Sequence, residues 1–152
     1  MDETAIKTGE MAVGKNNTVI KTGSVGSCVV VALYDDEAKV GGLAHSMLPA
    51  RREGSEDDSD AQAKYADEAV DNLVVEIEKN GGDKSKLVAK LVGGGAMFKN
   101  SSSHIGDDNV ASAKSKLTEL GIHVENEDTG GSMGKSVELN LSTGLVKVET
   151  SL

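Results

Sequence analysis

Hydrophobic positions along this 152-residue chain change period several times, and each change marks an element. Residues 18–22, Thr-Val-Ile-Lys-Thr, alternate as a half-buried strand does. Residues 29–33, Val-Val-Val-Ala-Leu, are apolar without a break, β-branched at first, and read as a strand buried on both faces. Residues 40–48 return as a second apolar strand. Pro49, the only proline, ends it because it has no N–H to give a ladder. Over 61–79 the period becomes helical. Tyr65, Ala69, Leu73 and Ile77 recur every four residues, and Ala66, Val70 and Val74 widen the face. Ser59-Asp60 is the expected cap of that helix, and Asn80-Gly81-Gly82 its stop.

The second half repeats the alternation of elements. Residues 86–92 predict a strand broken by Gly93-Gly94-Gly95. A second helix follows, capped by Asp107 or Asp108 and running to about Leu120, with Val110, Ala113, Leu117 and Leu120 on one face. Strands are expected over 122–127, 135–141 and 145–148, the last two joined by a hairpin turn at Ser142-Thr143-Gly144. A short strand over 11–13 completes the set. Between elements lie a polar lead over 1–10, a small-residue loop over 23–27, an exposed acidic loop over 50–60, a short apolar piece over 96–98 and a soft loop over 99–104. Strands outnumber helices, and several are hairpin neighbours. That pattern predicts one α+β domain over 1–152, with mixed or antiparallel sheets rather than a doubly wound fold.

Composition narrows the function. With one Phe, two Tyr and no Trp, the core is aliphatic. Acidic residues outnumber basic ones 25 to 16, for a formal charge of −9, which disfavours nucleic acid and anionic membrane surfaces as partners. No apolar run approaches the ~18 residues needed to span a bilayer, and the N-terminus lacks the apolar core of a signal peptide. The expectation is a cytoplasmic protein without direct membrane insertion. A lone cysteine forms no internal disulfide and stays reduced there.

That cysteine is the candidate chemistry. Cys28 sits between the loop 23–27 and the apolar run 29–33, and His45 lies in the second apolar run. A thiol attacks as its thiolate, and an imidazole can take its proton and return one to a leaving group. The loop 23–27 can offer backbone N–H groups to a developing oxyanion. Thr22, at the other lip of the loop, is a candidate to orient the imidazole. His104 and His123 have no cysteine- or carboxylate-rich spacing around them, so no metal is expected. The glycine run 93–95 fits neither a dinucleotide nor a P-loop register, so no cofactor is expected.

At these residues the chain resembles the CheD family, the chemoreceptor glutamine deamidases. The resemblance covers about residues 10–148 and comes in ordered segments: Thr22-x-Gly-x-x-Gly-Ser-Cys28, Gly41-Gly-Leu-Ala-His45-x-Met-Leu-Pro49, Lys64-Tyr-Ala-Asp67, Gly94-Gly-Ala96, Ile105-Gly-x-x-Asn109-Val110 and Asp128-x-Gly-Gly-x-x-Gly134. It implies Cys28 as nucleophile, His45 as general base and acid, and Thr22 as the orienting residue. The implied reaction is hydrolysis of receptor glutamine side chains to glutamate and ammonia through a thioester, in chemotaxis adaptation. The implied fold is similar to deamidating-toxin cysteine hydrolases, with sheets flanked by two main helices. The implied partners are methyl-accepting chemotaxis receptors and, for some members, the phosphatase CheC; some members are also credited with methylesterase activity. A binding module that docks CheC or receptor with little catalysis is the alternative. Two positions depart from the family's pattern: Asp107-Asp108 and Lys135 stand where arginine is usual. Both departures are expected to bear on partner docking. An open substrate site further predicts a partly exposed Cys28 in a shallow cleft.

Overall fold

The computed structural model describes residues 1–52, 61–96 and 104–151. In chain order the elements are β1 (Asp2–Ala5), β2 (Met11–Lys15), β3 (Thr18–Val25), β4 (Val29–Asp35), β5 (Val40–Ser46), α1 (Ala66–Lys79), β6 (Leu87–Gly93), α2 (Ile105–Glu119), β7 (His123–Thr129), β8 (Gly134–Asn140) and β9 (Val146–Ser151). They build three layers. A four-stranded sheet in the order β1-β3-β8-β9 faces a five-stranded sheet in the order β2-β5-β4-β6-β7. Helices α1 and α2 cover the far side of the five-stranded sheet. Both sheets are mixed, since β1 runs parallel to β3 and β7 parallel to β6 while the other pairs are antiparallel. The expected α+β class with mixed sheets and two helices is what the chain adopts.

The apolar run of β4 explains the layering. All seven of its residues are buried. Val29, Val31 and Leu33 pack under the helices with Leu73, Ile77 and Leu117, whereas Val30, Ala32 and Tyr34 pack against Ile20, Val137 and Leu139 of the other sheet. Successive side chains on a strand point to opposite faces, so only a strand apolar at every position can serve two interfaces.

Tertiary contacts move several expected boundaries. The polar lead contains β1, whose four side chains are all exposed; it is held to β3 by backbone pairing and by the Lys21 Nζ–Glu3 Oε2 ion pair at 3.1 Å. The expected loop 23–27 begins as strand, because β3 runs on to Val25 through a bulge after Thr22, with Ser24 at φ 57°. Helix α1 starts at Ala66, not near 61. Residues 61–65 instead spend their backbone groups on the chain after β5 and before β2: Lys64 O accepts from Met47 N and Leu48 N, and Ala63 N donates to Gly9 O. Helix α2 starts at Ile105, so Asp107 and Asp108 lie in its first turn, where carboxylates favour the helix dipole, and neither caps it. The expected loop over 53–60 with its Ser59-Asp60 cap, and the pieces expected over 97–103, lie outside the described residues.

Candidate active site

Thr22 and His45 come from different sheets. Thr22 is in phase with Ile20 on β3, so its side chain enters the layer between the sheets, where it is 6% exposed. His45 is in phase with Leu43 on β5 and enters the same layer fully buried. Thr22 Oγ1 and His45 Nδ1 are 2.7 Å apart, a hydrogen bond that crosses from one sheet to the other. Either atom can donate in it. The tautomer in which Nδ1–H donates to the hydroxyl leaves the lone pair on Nε2 free. Nε2 is buried and, among the described residues, has no hydrogen-bond partner.

Cys28 lies on the same side of the five-stranded sheet. His45 pairs with Val30 across β4 and β5, and Cys28 precedes Val30 by two residues. Its side chain packs against the apolar cluster between the sheets and is partly exposed. The structure therefore brings Thr22 and His45 into contact and places Cys28, just before β4, on the same face of the five-stranded sheet, the partial exposure agreeing with the expectation from sequence.

The backbone around Cys28 is tied down from behind. Gly26 O accepts from Gly95 N at 2.9 Å, Cys28 O from Gly94 N at 2.7 Å, and Ser27 O from Asn109 Nδ2 at 2.9 Å. Glycine is needed on the other side of these contacts. Gly93 has φ 111°, and a Cβ there would overlap the Cys28 carbonyl oxygen; a Cβ on Gly106 would come within 2.6 Å of the Gly94 and Gly95 carbonyl oxygens. The start of α2 thus rests directly on the glycine turn after β6, and that turn rests on the loop before Cys28.

Burial sets the protonation of the pair. It pushes the Cys28 thiol above its ordinary value, with the residue's own backbone N–H pulling weakly the other way. It holds the His45 imidazole below its ordinary value, because the charged ring would be desolvated. Both directions favour a neutral thiol beside a neutral imidazole rather than a standing thiolate–imidazolium pair.

Other expectations resolve differently. Asp107 and Asp108 are exposed on α2, as a docking role requires. Lys135 is only 8% exposed, and its Nζ donates to Asp128 O at 3.0 Å and Oδ1 at 2.8 Å. It ties the end of β7 to the start of β8 inside the protein. His104 and His123 are exposed on the surface. Among the described residues no group of three or more His, Cys, Asp or Glu side chains could hold a metal ion, and no helix is long and apolar enough to cross a membrane. Asn109 was not assigned a role from sequence. Its signal was there: it falls in the buried stripe Gly106, Asn109, Ala113, Leu117 of α2, where an apolar residue is the norm.

Residues 47–150 match the family model described as CheD chemotactic sensory transduction. A Methanococcus vannielii protein named probable chemoreceptor glutamine deamidase CheD is 45% identical over 94% of this chain and 92% of its own. A Pyrococcus horikoshii protein of the same name is 45% identical over 97% of this chain and 92% of its own. The Thermotoga maritima chemoreceptor glutamine deamidase CheD is 46% identical over 92% of this chain and 87% of its own. These matches span the segment 22–45, which the family model leaves out. Among solved structures, a Neisseria meningitidis protein of the DUF152 family is similar in fold, with TM-score 0.50 at 11% identity over 87% of this chain and 63% of that one. Matched over residues 47–150 by that family model and through most of its length by these relatives, the chain belongs to the CheD family of chemotactic sensory transduction proteins.

Proposed function

We propose that this protein hydrolyses glutamine side-chain amides on chemoreceptors, with Cys28 as nucleophile, His45 as general base and acid, and Thr22 orienting His45. The observation that carries the reading is the Thr22–His45 bond, which leaves a buried, unpartnered Nε2 on the sheet face that also bears the partly exposed Cys28. The names of the relatives supply the substrate class.

The steps follow from the neutral pair. Cys28 Sγ attacks the glutamine Cδ while His45 Nε2 takes the thiol proton, and the carbonyl electrons move onto oxygen. The tetrahedral oxyanion collapses, the C–N bond breaks, and His45 returns the proton to the leaving nitrogen, which departs as ammonia. Water then attacks the thioester carbon, His45 takes its proton, and the thiolate leaves and is reprotonated. The sum is glutamine plus water to glutamate plus ammonia. A hydroxyl partner fixes the ring's direction and tautomer without adding charge, so Thr22 stabilises an imidazolium less than a carboxylate would.

The test incubates the full chain with a receptor cytoplasmic fragment and follows the mass change of amide to acid at glutamine. Cys28→Ala is expected to lower the rate by on the order of 10⁴–10⁶-fold. Conversion by that variant at the wild-type rate would remove Cys28 from the mechanism. Failure of wild type and variant alike to convert receptor, with tight receptor binding by both, would make the protein a docking module.

A further inference from the structure

Asn109 is fully buried in the first turns of α2, and its Nδ2 makes two bonds from one nitrogen: 2.9 Å to Ser27 O and 3.2 Å to Met47 O. Ser27 precedes the candidate nucleophile by one residue, and Met47 follows the candidate base by two. One side-chain amide therefore joins the end of the nucleophile loop to the end of the strand carrying His45. Among the described residues its Oδ1, also buried, has no hydrogen-bond partner. A buried acceptor without a partner is destabilising, and a leucine of similar shape would avoid that cost. Asn109 thus serves this position through its N–H groups alone.

The consequence for the site follows from peptide geometry. The chain has no cis peptide among the described residues, and in a trans peptide the C=O and the following N–H point in opposite directions. Holding Ser27 O toward α2 turns the Cys28 N–H away from α2. Holding Gly26 O toward Gly95 N turns the Ser27 N–H away from the glycine turn. Among the described residues neither N–H donates to a backbone carbonyl. The Cys28 N–H is close enough to its own sulfur to draw on the thiol.

We propose that Asn109 is a positioning residue for the hydrolysis: by tying Ser27 O to Met47 O it aims the Cys28 N–H, with that of Ser27, at the oxygen of the amide under attack. The oxygen becomes negative only in the transition state, so donors fixed in place beforehand act there and not on the bound substrate. This inference rests on the Cys28–His45 reading above.

The test separates an oxyanion effect from general damage. Iodoacetamide alkylates a thiol at a saturated carbon, displacing iodide, and no oxyanion forms. In folded Asn109→Leu and Asn109→Ala proteins the kcat for receptor deamidation should fall about 10- to 100-fold, a part of what removing an oxyanion donor costs. KM and the iodoacetamide rate at Cys28 should each stay within about two-fold, since neither involves that charge. Equal losses in both reactions, or no loss in kcat, overturn the proposal. Should both variants fail to fold, the wild type answers instead. A peptide whose glutamine carboxamide is replaced by an aldehyde adds to Cys28, the sulfur bonding to carbon and the thiol proton passing to oxygen. On formation of that adduct the Cys28 amide proton should move downfield while the Asn109 side-chain protons remain protected from exchange. An unmoved Cys28 amide or unprotected Asn109 protons overturn the proposal. Deamidation by Cys28→Ala would instead sink the underlying reading.

Discussion

The layer between the two sheets contains two buried side-chain hydrogen bonds at opposite ends of the β4–β5 pair. At one end Tyr34 Oη donates to Leu141 O at 2.8 Å, and that group is satisfied. At the other end Thr22 and His45 meet at 2.7 Å, and His45 still carries an unpartnered Nε2. Both ends cross between the same sheets through the same aliphatic cluster. The difference is one unfilled hydrogen-bond position. A satisfied buried polar group is accounted for by packing, whereas an unsatisfied one needs a reason outside the fold's stability. The proposed transfer of the Cys28 proton to Nε2 supplies that reason, and on that proposal the Tyr34 end is structural and the His45 end chemical.

Three substitutions sharpen this contrast. The largest effect is expected at His45. His45→Ala should lower receptor deamidation by about 10²–10⁴-fold, the range for losing a general base, with a melting temperature close to wild type. The wild-type pH profile should agree in sign. The ring must be neutral to accept a proton, and burial lowers its pKa, so the rate should hold from neutral pH down and fall only below the ordinary imidazole value of about 6.5. A rate that declines on the acid side already above that value, or His45→Ala at full activity, would break the assignment.

Thr22→Val comes next. It keeps the shape and removes the hydroxyl, so the ring loses its anchor but remains in place. About a ten-fold loss in kcat is expected, less than for His45 because base catalysis itself survives. Unchanged kcat would reduce Thr22 to packing. The smallest effect belongs to the structural end. Tyr34→Phe removes one hydrogen bond and leaves the Leu141 carbonyl without a donor, which should cost about 1 kcal/mol in denaturant unfolding. Its deamidation rate should match wild type, and a change in rate there would mean the two ends are not independent.

Much of this was legible in the chain itself. The unbroken apolar run of β4, the four-residue recurrence in α1 and the glycine stops each reflect a local period, and a local period survives into the fold. Cys28 and His45 stood out because each is a reactive side chain at the edge of such a run. What local pattern missed was held by backbone alone or by distant partners. Strand β1 buries no side chain, so no pattern could announce it. The first residues expected in α1 were drawn off by carbonyl and amide partners after β5 and at Gly9. The start of α2 was decided by Gly106 resting on Gly94 and Gly95.

By itself, then, the sequence singled out the candidate chemical residues and most of the strand and helix segments, because both depend on side-chain type and near-neighbour spacing. Only the tertiary structure decided that Thr22 and His45 meet across two sheets, that Lys135 turns inward, and that Asn109 reaches both the nucleophile loop and the base strand. Asn109 lies 82 residues from Ser27 and 62 from Met47. Contacts over such separations are set by how whole layers stack, and no stretch of chain shorter than the fold contains them.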